Sequence, residues 1–522
     1  MTTRMLVRRN FYCDSVALMK LSRSLTRLPG IEDAAAVMST EMNQALLRKA
    51  GLLNVDTNAE DLGGPNDLLI IVRAVTDERA ETALQAAETG LTSGQDHSPG
   101  ARIQQRPGSL EQALIQQPAL NLALISVPGP YAAVEARQAL LAGLHVLLFS
   151  DNVSLEHEIA LKTLAAERGL LMMGPDCGTA IVNGVGLGFA NAVPRGPVGI
   201  VSASGTGLQQ VACLIADYGL GISQGIGTGG RDLSEAVGGQ SMLAGLDALQ
   251  RDPATQVIVL LSKPPAPVVA ERILTAAARG TKPTVIAFLG ADLSSNALSL
   301  AHHLSLARTL SEAARLAVRL AGKGAPTGET LPDGALAAIQ AARDALHPGQ
   351  RYVRGLFAGG TLCDEAMMIL SERLGPVYSN IPLRPDWQLS RPYISQEHMA
   401  LDLGSDEFTI GRPHPMIDPG LRLRWLAQEA GDPKTAVILL DIVLGYGAHA
   451  DPASEFAPAI AQARATAAEA GRTLACVISL CGTEQDPQGR STQQAALQAA
   501  GALVFTDNAL AARAAAEIVS GR

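Results

Sequence analysis

Two glycine-rich turns each follow an apolar run typical of a buried strand, and each precedes a predicted helix. The first, residues 198–207, ends in Ser-Ala-Ser-Gly-Thr-Gly, and the second, residues 437–451, contains Leu-Gly-Tyr-Gly-Ala-His. A helix that starts directly after a strand leaves unpaired backbone N–H groups at its positive end, and such ends bind anions. Two of these ends facing one another would hold one phosphate between them. The alternative is a tight connection whose Ser or Thr only caps the helix.

Small residues would supply most of the phosphate-binding groups. The candidates in the two turns are Ser202, Ser204, Gly205, Thr206, Gly445 and Gly447. The loop 226–232 follows the next predicted strand and adds Gly229, Gly230 and Arg231, whose guanidinium could bind an oxyanion through several donors. An exposed Arg–Asp turn is the alternative for this loop.

Lys263 is the candidate cation at the same edge of the sheet. It follows the predicted strand 257–261, and parallel α/β sheets bind their ligands outside the carboxyl ends of the strands. We therefore treat Lys263 as a candidate catalytic residue. A lysine on a loop is, however, often only solvated.

Arg412, His414 and Asp418 form a polar cluster in a loop stiffened by two prolines. They could bind a carboxylate substrate or move a proton, with Arg412 and His414 as the catalytic candidates. A structural loop in which Asp418 caps a helix is the alternative. Glu484 and Asp486, after the predicted strand 475–480, are further candidates for substrate or metal contact, and solvated turn carboxylates are the alternative.

Known metal and nucleophile motifs are absent from the sequence. It contains no His-Glu-x-x-His, no Gly-x-x-x-x-Gly-Lys-Ser/Thr and no Gly-x-Ser-x-Gly. We therefore assign no metal ligand.

The elements that must position these residues alternate between strands and helices. This order predicts an α/β fold of several doubly wound parallel sheets, Rossmann-like and flavodoxin-like. We predict a small N-terminal α/β domain over 1–93, a Rossmann domain over 110–195, and flavodoxin-like domains over 196–322 and 351–522.

Composition excludes several classes of partner. The 522-residue chain has a net charge of −9 and no basic stripe, so we expect no nucleic-acid binding. No apolar run reaches the ~18 residues that span a bilayer, and no signal peptide is recognisable. Six cysteines without a Cys-x-x-Cys pair suit reduced thiols in a cytoplasmic protein.

Residues 122–289 resemble the α subunit of succinyl-CoA synthetase and the NDP-forming acyl-CoA ligases. The resemblance rests on residues 127–131, 173–178, 198–206, 217–221 and 227–230. Residues 355–505 resemble the C-terminal domain of the β subunit. The implied architecture is a CoA-binding-like Rossmann domain over 110–195, followed by two fused ligase-type domains. In the ligases, two helix ends together hold the phosphate of a phosphohistidine.

Over almost its whole length the chain resembles the FdrA family more closely. The shared segments are 11–19, 149–153, 229–234, 359–362 and 411–419, among them Gly-Arg-Pro-His-Pro-Met-Ile-Asp-Pro. This resemblance implies a subunit of oxamate carbamoyltransferase that works with two partner proteins. That transferase cleaves oxalurate with phosphate to oxamate and carbamoyl phosphate in allantoin and purine breakdown.

Departures from the ligase pattern argue against a phosphohistidine relay. The ligases carry their phosphorylated His in Gly-His-Ala-Gly, whereas residues 290–298 read Gly-Ala-Asp-Leu-Ser-Ser-Asn-Ala-Leu. Lys-Pro-Pro at 263–265 replaces the Glu that holds this His. No glycine-rich turn precedes residue 122, which weakens the case for CoA, and nothing resembles the ATP-grasp domain.

These observations together predict a carbamoyltransferase subunit that uses phosphate or carbamoyl phosphate as a reactant. Lys263 and Arg231 would stabilise the developing charge, His414 would handle the proton on leaving oxamate, and Arg412 would bind its carboxylate. Alternatives are an acyl-CoA (succinate–CoA) ligase-like enzyme and a non-catalytic subunit that binds CoA or phosphate. We expect an oligomer.

Overall fold

A computed structural model describes residues 2–520 except 12, 14, 27, 41–42, 45–46, 49–50, 54–58, 94–106, 294–300, 326–327, 329–330, 391–393 and 410–412. The chain forms two compact units. The first unit comprises residues 1–106 with 409–413, and the second comprises 107–408 with 414–522.

The first unit contains a three-stranded antiparallel sheet. Its strands are β1 (Thr2–Arg8), β2 (Ile31–Met38) and β3 (Leu68–Ala74), and β3 lies in the middle. The helices of this unit are α1 (Ser15–Thr26), α2 (Ala59–Leu62) and α3 (Asp77–Ser93). Strand β3 is apolar on both faces and buried at nearly every residue, so hydrophobic clusters form on both sides of the sheet.

The second unit begins with a small parallel sheet in the order β4-β5-β6. The strands are β4 (Leu122–Ile125), β5 (His145–Leu148) and β6 (Met172–Met173). The accompanying helices are α4 (Leu110–Gln116), α5 (Gly129–Leu141) and α6 (Leu155–Glu167).

A seven-stranded sheet follows, in the order β13-β12-β11-β9-β10-β7-β8. Its strands are β7 (Thr179–Val182), β8 (Val185–Gly188), β9 (Arg195–Ser202), β10 (Ile222–Gly227), β11 (Val257–Ser262), β12 (Thr284–Phe288) and β13 (Leu304–Leu306). Its helices are α7 (Gly205–Asp217), α8 (Gln240–Arg251), α9 (Pro267–Ala278) and α10 (Leu310–Leu320). Strands β9 to β13 are parallel. The hairpin β7–β8 adds antiparallel strands at one edge, so this sheet includes residues on both sides of position 195, where we predicted a domain boundary.

The last sheet is five-stranded and fully parallel, in the order β15-β14-β16-β17-β18. Its strands are β14 (Tyr352–Phe357), β15 (Met399–Asp402), β16 (Thr435–Val443), β17 (Ala475–Cys481) and β18 (Leu503–Phe505). The helices are α11 (Ala335–Asp344), α12 (Gly360–Leu374), α13 (Asp406–Thr409), α14 (Gly420–Gly431), α15 (Pro452–Glu469), α16 (Arg490–Ala499) and α17 (Asn508–Val519), with a 3-10 turn at Pro385–Trp387.

One hydrophobic core joins the two larger sheets. It contains side chains of β9 and β14, and of the helices α7, α10, α12 and α17 that lie between the sheets. Helix α17 is rich in buried alanines, and these small side chains allow helices and strands to approach closely. Helices α7 and α12 meet in this core, each directly after a central strand.

The predicted α/β class with several parallel sheets is confirmed for the second unit, while the sheet of the first unit is antiparallel. None of the helices in the described part of the chain combines the length and hydropathy that a membrane span requires.

Candidate functional site

Helix α7 starts directly after β9 and is capped by Ser204. The Ser204 Oγ accepts a hydrogen bond from the Gly207 N–H at 2.9 Å. The buried Ser202 Oγ donates to the Ser204 carbonyl at 2.7 Å and accepts from the Ser204 N–H at 3.0 Å. The N–H groups of Gly205 and Thr206 belong to the first turn and have no acceptor within the helix. Both side-chain hydroxyls therefore shape the turn, and the two amides remain for an anion.

The start of helix α12 faces the start of α7. Strand β14 ends at Phe357, and Gly359 precedes the first helical residue, Gly360. A Cβ atom on Gly359 would lie 2.7 Å from both the Oγ1 and the Cγ2 of Thr206, so the two first turns are in contact. We call these two turns, residues 204–207 and 359–362, the facing helix starts.

Gly445 and Gly447 do not take part in this pair. Strand β16 ends at Val443, but the next helix begins only at Pro452 after a long loop, where Asp451 is the cap. The Gly445 N–H donates to the Gln488 Oε1 at 3.1 Å, and a Cβ on Gly447 would lie 3.2 Å from the Phe189 ring. The predicted tight turn is thus a loop that packs on the segment before β9.

A buried ion pair holds the turn before α12. The Asp441 carboxylate accepts the N–H groups of Ala358 at 2.8 Å and Gly359 at 2.9 Å. The Arg422 guanidinium donates to Asp441 Oδ1 at 2.7 Å and to the Leu356 carbonyl at 2.9 Å. The first two amides of the turn are therefore used, and those of the first helical turn remain.

Lys263 directly follows β11 and lies at the start of α12. Its Nζ forms an ion pair with Asp364 Oδ2 at 2.9 Å, and a Cβ on Gly360 would lie 3.0 Å from the same Nζ. Surrounding protein atoms lower the pKa of Lys263, but the carboxylates of Asp364 and Asp402 outweigh that effect and raise it overall. Lys263 is therefore a cation at neutral pH, and 41% of its side chain is exposed.

Asp402 approaches the same helix start from the end of β15. A Cβ on Gly360 would lie 2.6 Å from Asp402 Oδ2. The other oxygen, Oδ1, accepts the Gly404 N–H at 3.0 Å. The Asn380 side-chain amide donates to the Asp402 carbonyl and accepts a hydrogen bond from the Asp402 N–H. Burial raises the pKa of Asp402 to about 7. The charge of Lys263 and the hydrogen bond from Gly404 lower the pKa and offset this effect only in part.

His414 lies beside Gly404 and Asp402. Its Nδ1 accepts the Met416 N–H at 3.2 Å, and its ring centre is 5.7 Å from that of Phe189. A Cβ on Gly404 would lie 2.8 Å from His414 Nε2. Burial and then the charge of Arg422 lower the pKa of His414 to about 4, so the ring is neutral and Nε2 carries its hydrogen.

The other two residues predicted in this loop are placed differently. Asp418 Oδ1 accepts the Gly420 N–H at 2.8 Å at the start of α14, although the N-cap residue of this helix is Pro419. Arg412 lies outside the described residues.

The loop after β10 lies beside the turn after β6. A Cβ on Gly229 would lie 2.2 Å from the Pro175 carbonyl, and one on Gly230 would lie 3.9 Å from Asp176 Oδ2. Arg231 donates to the Val153 carbonyl at 2.7 Å and pairs with Glu158 at 2.9 Å, so part of its guanidinium is already used.

A buried ion-pair cluster around Lys162 anchors the loop after β10. Lys162 Nζ lies 2.7 Å from Asp232 Oδ1 and 3.0 Å from Glu158 Oε1, and all three side chains are buried. The loop is thereby fixed to helix α6 and to the start of α8, where Asp232 accepts the Ser241 and Met242 N–H groups.

Glu484 is exposed and is not brought to the facing helix starts. Its oxygens accept the Ser491 N–H at 2.9 Å and the Ser491 Oγ–H at 2.8 Å, and these bonds lower its pKa. It stabilises the start of α16. Across the described ranges, no three His, Cys, Asp or Glu side chains are grouped as metal ligands.

Several residues of the site were not predicted as functional. They are Gly359, Gly360, Asp364, Asp402, Arg422 and Asp441. The available signal was Ala-Gly-Gly-Thr at 358–361, directly after an apolar run. No sequence pattern linked Asp402 or Asp441 to this turn, because they come from separate strands.

The chain resembles known proteins in three regions and over its whole length. Residues 1–107 match the family model "AllF, heavy metal-associated domain", residues 195–290 match "CoA binding domain", and residues 356–518 match "CoA-ligase". Protein YahF of Escherichia coli (strain K12) is 44% identical over 97% of both chains. The chain belongs to the FdrA family. This FdrA-family chain is related to the NDP-forming acyl-CoA ligases.

Relatives with named activities match only part of this FdrA-family chain. The succinate–CoA ligase α subunit of Aquifex aeolicus is 26% identical over 38% of the chain and 67% of its own length. The α subunit 2 of Archaeoglobus fulgidus is 30% identical, over 27% of the chain and 50% of its own length. The two matched CoA family models suggest that CoA is relevant to this chain, whereas the sequence alone had weakened the case for it.

Two solved structures also align with the FdrA-family chain. ATP citrate lyase from Methanothrix soehngenii aligns over 46% of each chain, at 18% identity and a TM-score of 0.36. The dinucleotide-forming acetyl-coenzyme A synthetase 1 of Ca. Korarchaeum cryptofilum aligns over 76% of this chain and 82% of its own, at 16% identity and a TM-score of 0.26. Neither alignment bears on the reaction.

Proposed function

We propose that this FdrA-family chain is the phosphate-binding subunit of an oxamate carbamoyltransferase. The substrates would be oxalurate and phosphate, and the products oxamate and carbamoyl phosphate. The contact between Thr206 and Gly359 is the observation that supports this proposal most, because it brings two helix starts together beside the cation Lys263. Such an arrangement offers amides and positive charge to one tetrahedral anion.

The remaining groups suit an acyl-transfer reaction. Bound phosphate would attack the carbamoyl carbon, and Lys263 would stabilise the negative charge that develops. The neutral His414 would donate a hydrogen bond from Nε2, not carry the proton, because its pKa is lowered to about 4. Arg231 keeps only part of its guanidinium for a ligand, so its contribution would be smaller than that of Lys263.

The proposal includes partners and location. We propose a cytoplasmic complex with two further protein subunits, in which the oxalurate carboxylate is bound partly by Arg412. Purine breakdown through allantoin would supply the substrate.

Carbamoyl phosphate formation is the direct test. The tagged chain is purified with its associated proteins, mixed with oxalurate and phosphate, and followed by phosphorus NMR. The wild-type complex should form carbamoyl phosphate, and Lys263→Ala should lower kcat/KM for phosphate by about 10- to 100-fold, since a charge-assisted contact is lost. The control is Lys323→Ala, which removes an exposed lysine that does not belong to the facing helix starts. An inactive wild-type complex, or an unaffected Lys263→Ala complex, would contradict the proposal.

A CoA ligase-like activity is the second candidate, favoured by the two matched CoA family models. The CoA binding domain model covers residues 195–290, which include β9, the start of α7 and the loop after β10, so a phosphate group of CoA could use the same helix start. Calorimetric titration of the isolated chain with CoA decides the matter: binding in the micromolar range would support this candidate, and its absence would exclude it.

A further inference from the structure

We infer that Asp402 is the general acid of the proposed reaction, and that it donates its proton to the nitrogen that leaves as oxamate. The inference rests on the proposed function, which assigns no residue to this proton. It concerns the carboxyl group at the end of β15, next to the start of α12.

The position of the carboxyl group is the first argument. Asp402 is only 7% exposed. Its Oδ1 is tied to the Gly404 N–H, while Oδ2 has no hydrogen-bond partner within the described chain and lies 2.6 Å from the Cβ position of Gly360. The Asp402 side chain is therefore largely buried, and its second carboxyl oxygen lies next to a first helical turn, where it could accept or donate a hydrogen bond to a ligand held by that turn.

The charges around Asp402 are the second argument. Those that act on its carboxyl group are Lys263 after β11, Asp364 on α12 and Asp441 on β16, and Asp441 is itself paired with Arg422 on α14. Asp176, after β6, also interacts with Asp402, and the neighbouring His414 is neutral. Three carboxylates therefore oppose ionisation and one lysine favours it. Together with burial they leave the pKa of Asp402 at about 7, so both protonation states are populated at neutral pH.

Three of the neighbouring groups are poorly suited to the same task. The pKa of Lys263 is raised, so this residue keeps its proton. The pKa of His414 is about 4, so it has no second proton to give. Asp441 uses both of its oxygens on backbone amides and Arg422.

The proton balance of the step is complete with Asp402 protonated at the start. An ionised oxygen of hydrogen phosphate attacks the carbamoyl carbon of oxalurate, and the new C–O bond forms while the C–N bond breaks. The leaving nitrogen takes the proton of Asp402, which gives oxamate and a carboxylate. The remaining P–O–H group of carbamoyl phosphate then returns its proton to Asp402. Atoms and charge balance without any further reactant.

The protein should therefore take up a proton at Asp402 when it binds the anion. The isolated wild-type chain and Asp402→Asn are titrated with phosphate at pH 8, in buffers of different ionisation enthalpy. We expect the wild type to take up about one proton more than Asp402→Asn. The control Asp247→Asn, which changes an exposed carboxylate paired with Arg251, should match the wild type.

A second measurement uses only the wild-type chain. Sulfate has no titrating proton near neutrality, so its affinity should fall about tenfold per pH unit above pH 7 if Asp402 must be protonated. This sulfate titration tests the inference even if Asp402→Asn does not fold.

Turnover provides the final measurement. In the complete complex, Asp402→Asn should lower kcat by at least about 100-fold while phosphate still binds, and Asp402→Glu should restore part of the rate. If phosphate fails to bind the wild type, the proposed function falls and this inference falls with it. If phosphate binds with equal proton uptake in both chains and sulfate affinity is flat with pH, only the role of Asp402 is overturned.

Discussion

The Thr206 side chain lies against the backbone of Gly359, so that a Cβ atom at position 359 would come within 2.7 Å of Thr206 Oγ1. Gly359 has a φ of −108°, a conformation open to any residue, so glycine is needed here for space alone. This contact brings together one helix of the seven-stranded sheet and one of the five-stranded sheet.

Replacing Gly359 by alanine should therefore separate the facing helix starts. The added methyl group meets two Thr206 atoms and costs about 1–3 kcal/mol of unfolding free energy, and phosphate affinity should fall with it. Thermal unfolding and phosphate titration check both effects. Gly431→Ala is the matched control, because nothing lies within 4 Å of a Cβ there. Equal behaviour of the two variants would contradict a tight contact.

Asp441→Asn should be strongly destabilising. It leaves the Arg422 guanidinium buried without a counter-charge and turns an amide donor toward one of the backbone N–H groups before α12. Loss of one partner of a buried pair costs about 3–5 kcal/mol. Urea denaturation measures the change, and the exposed pair of Asp247 with Arg251 supplies the control Asp247→Asn, which should cost below about 0.5 kcal/mol.

Asp402 should make the wild-type protein less stable as pH rises. The ordinary pKa of an aspartate side chain is 3.8, and that of Asp402 in the folded chain is about 7, so between these values the folded state binds more protons than the unfolded state. The contribution of Asp402 to the free energy of unfolding therefore falls between about pH 4 and pH 7, by roughly 4 kcal/mol at most.

Asp402→Asn cannot ionise and should reduce this slope. Asp176 and the buried Glu365 contribute to the slope as well, because surrounding protein atoms also raise their pKa values to about 7. The variant should gain stability over the wild type at pH 8 and show little gain at pH 4. Denaturation curves collected across this range test the sign, and equal slopes in the wild type and the variant would contradict the assignment.

The sequence was informative for residues that directly follow their own strands. Ser204 and Lys263 follow their strands directly, and parallel strands end at one edge, so their place at the same edge of the seven-stranded sheet could be predicted. The turn at 444–451 could not be judged in this way, because the length of the loop before α15 depends on packing against residues 188–191.

The partner helix was missed for a related reason. Gly359 and Gly360 follow a strand as directly as Ser204 does, yet only the tertiary fold shows that they face Thr206. Asp402 and Asp441 reach α12 from neighbouring strands of a sheet whose order, β15-β14-β16, is not the order along the chain. Composition and spacing do not reveal such neighbours.

His414 should contribute a hydrogen bond and no titrating proton. Its folded pKa of about 4 lies below its ordinary value of 6.5, so the unfolded state binds more protons between these values and stability falls as pH drops through them. His414→Gln should remove this slope while keeping an N–H donor near Gly404. His414→Phe should remove the donor as well and lower turnover by about tenfold, the size of one hydrogen bond.

The comparison of the two His414 variants separates a donor from an acid. If Asp402 must be protonated, turnover should fall above about pH 7. If His414 carried the catalytic proton instead, His414→Gln and His414→Phe would be equally inactive, and this fall would disappear in both. We expect that His414→Gln keeps most of its turnover and shows the same fall as the wild type. The exposed His302 supplies the control His302→Gln, measured for turnover and unfolding in the same buffers.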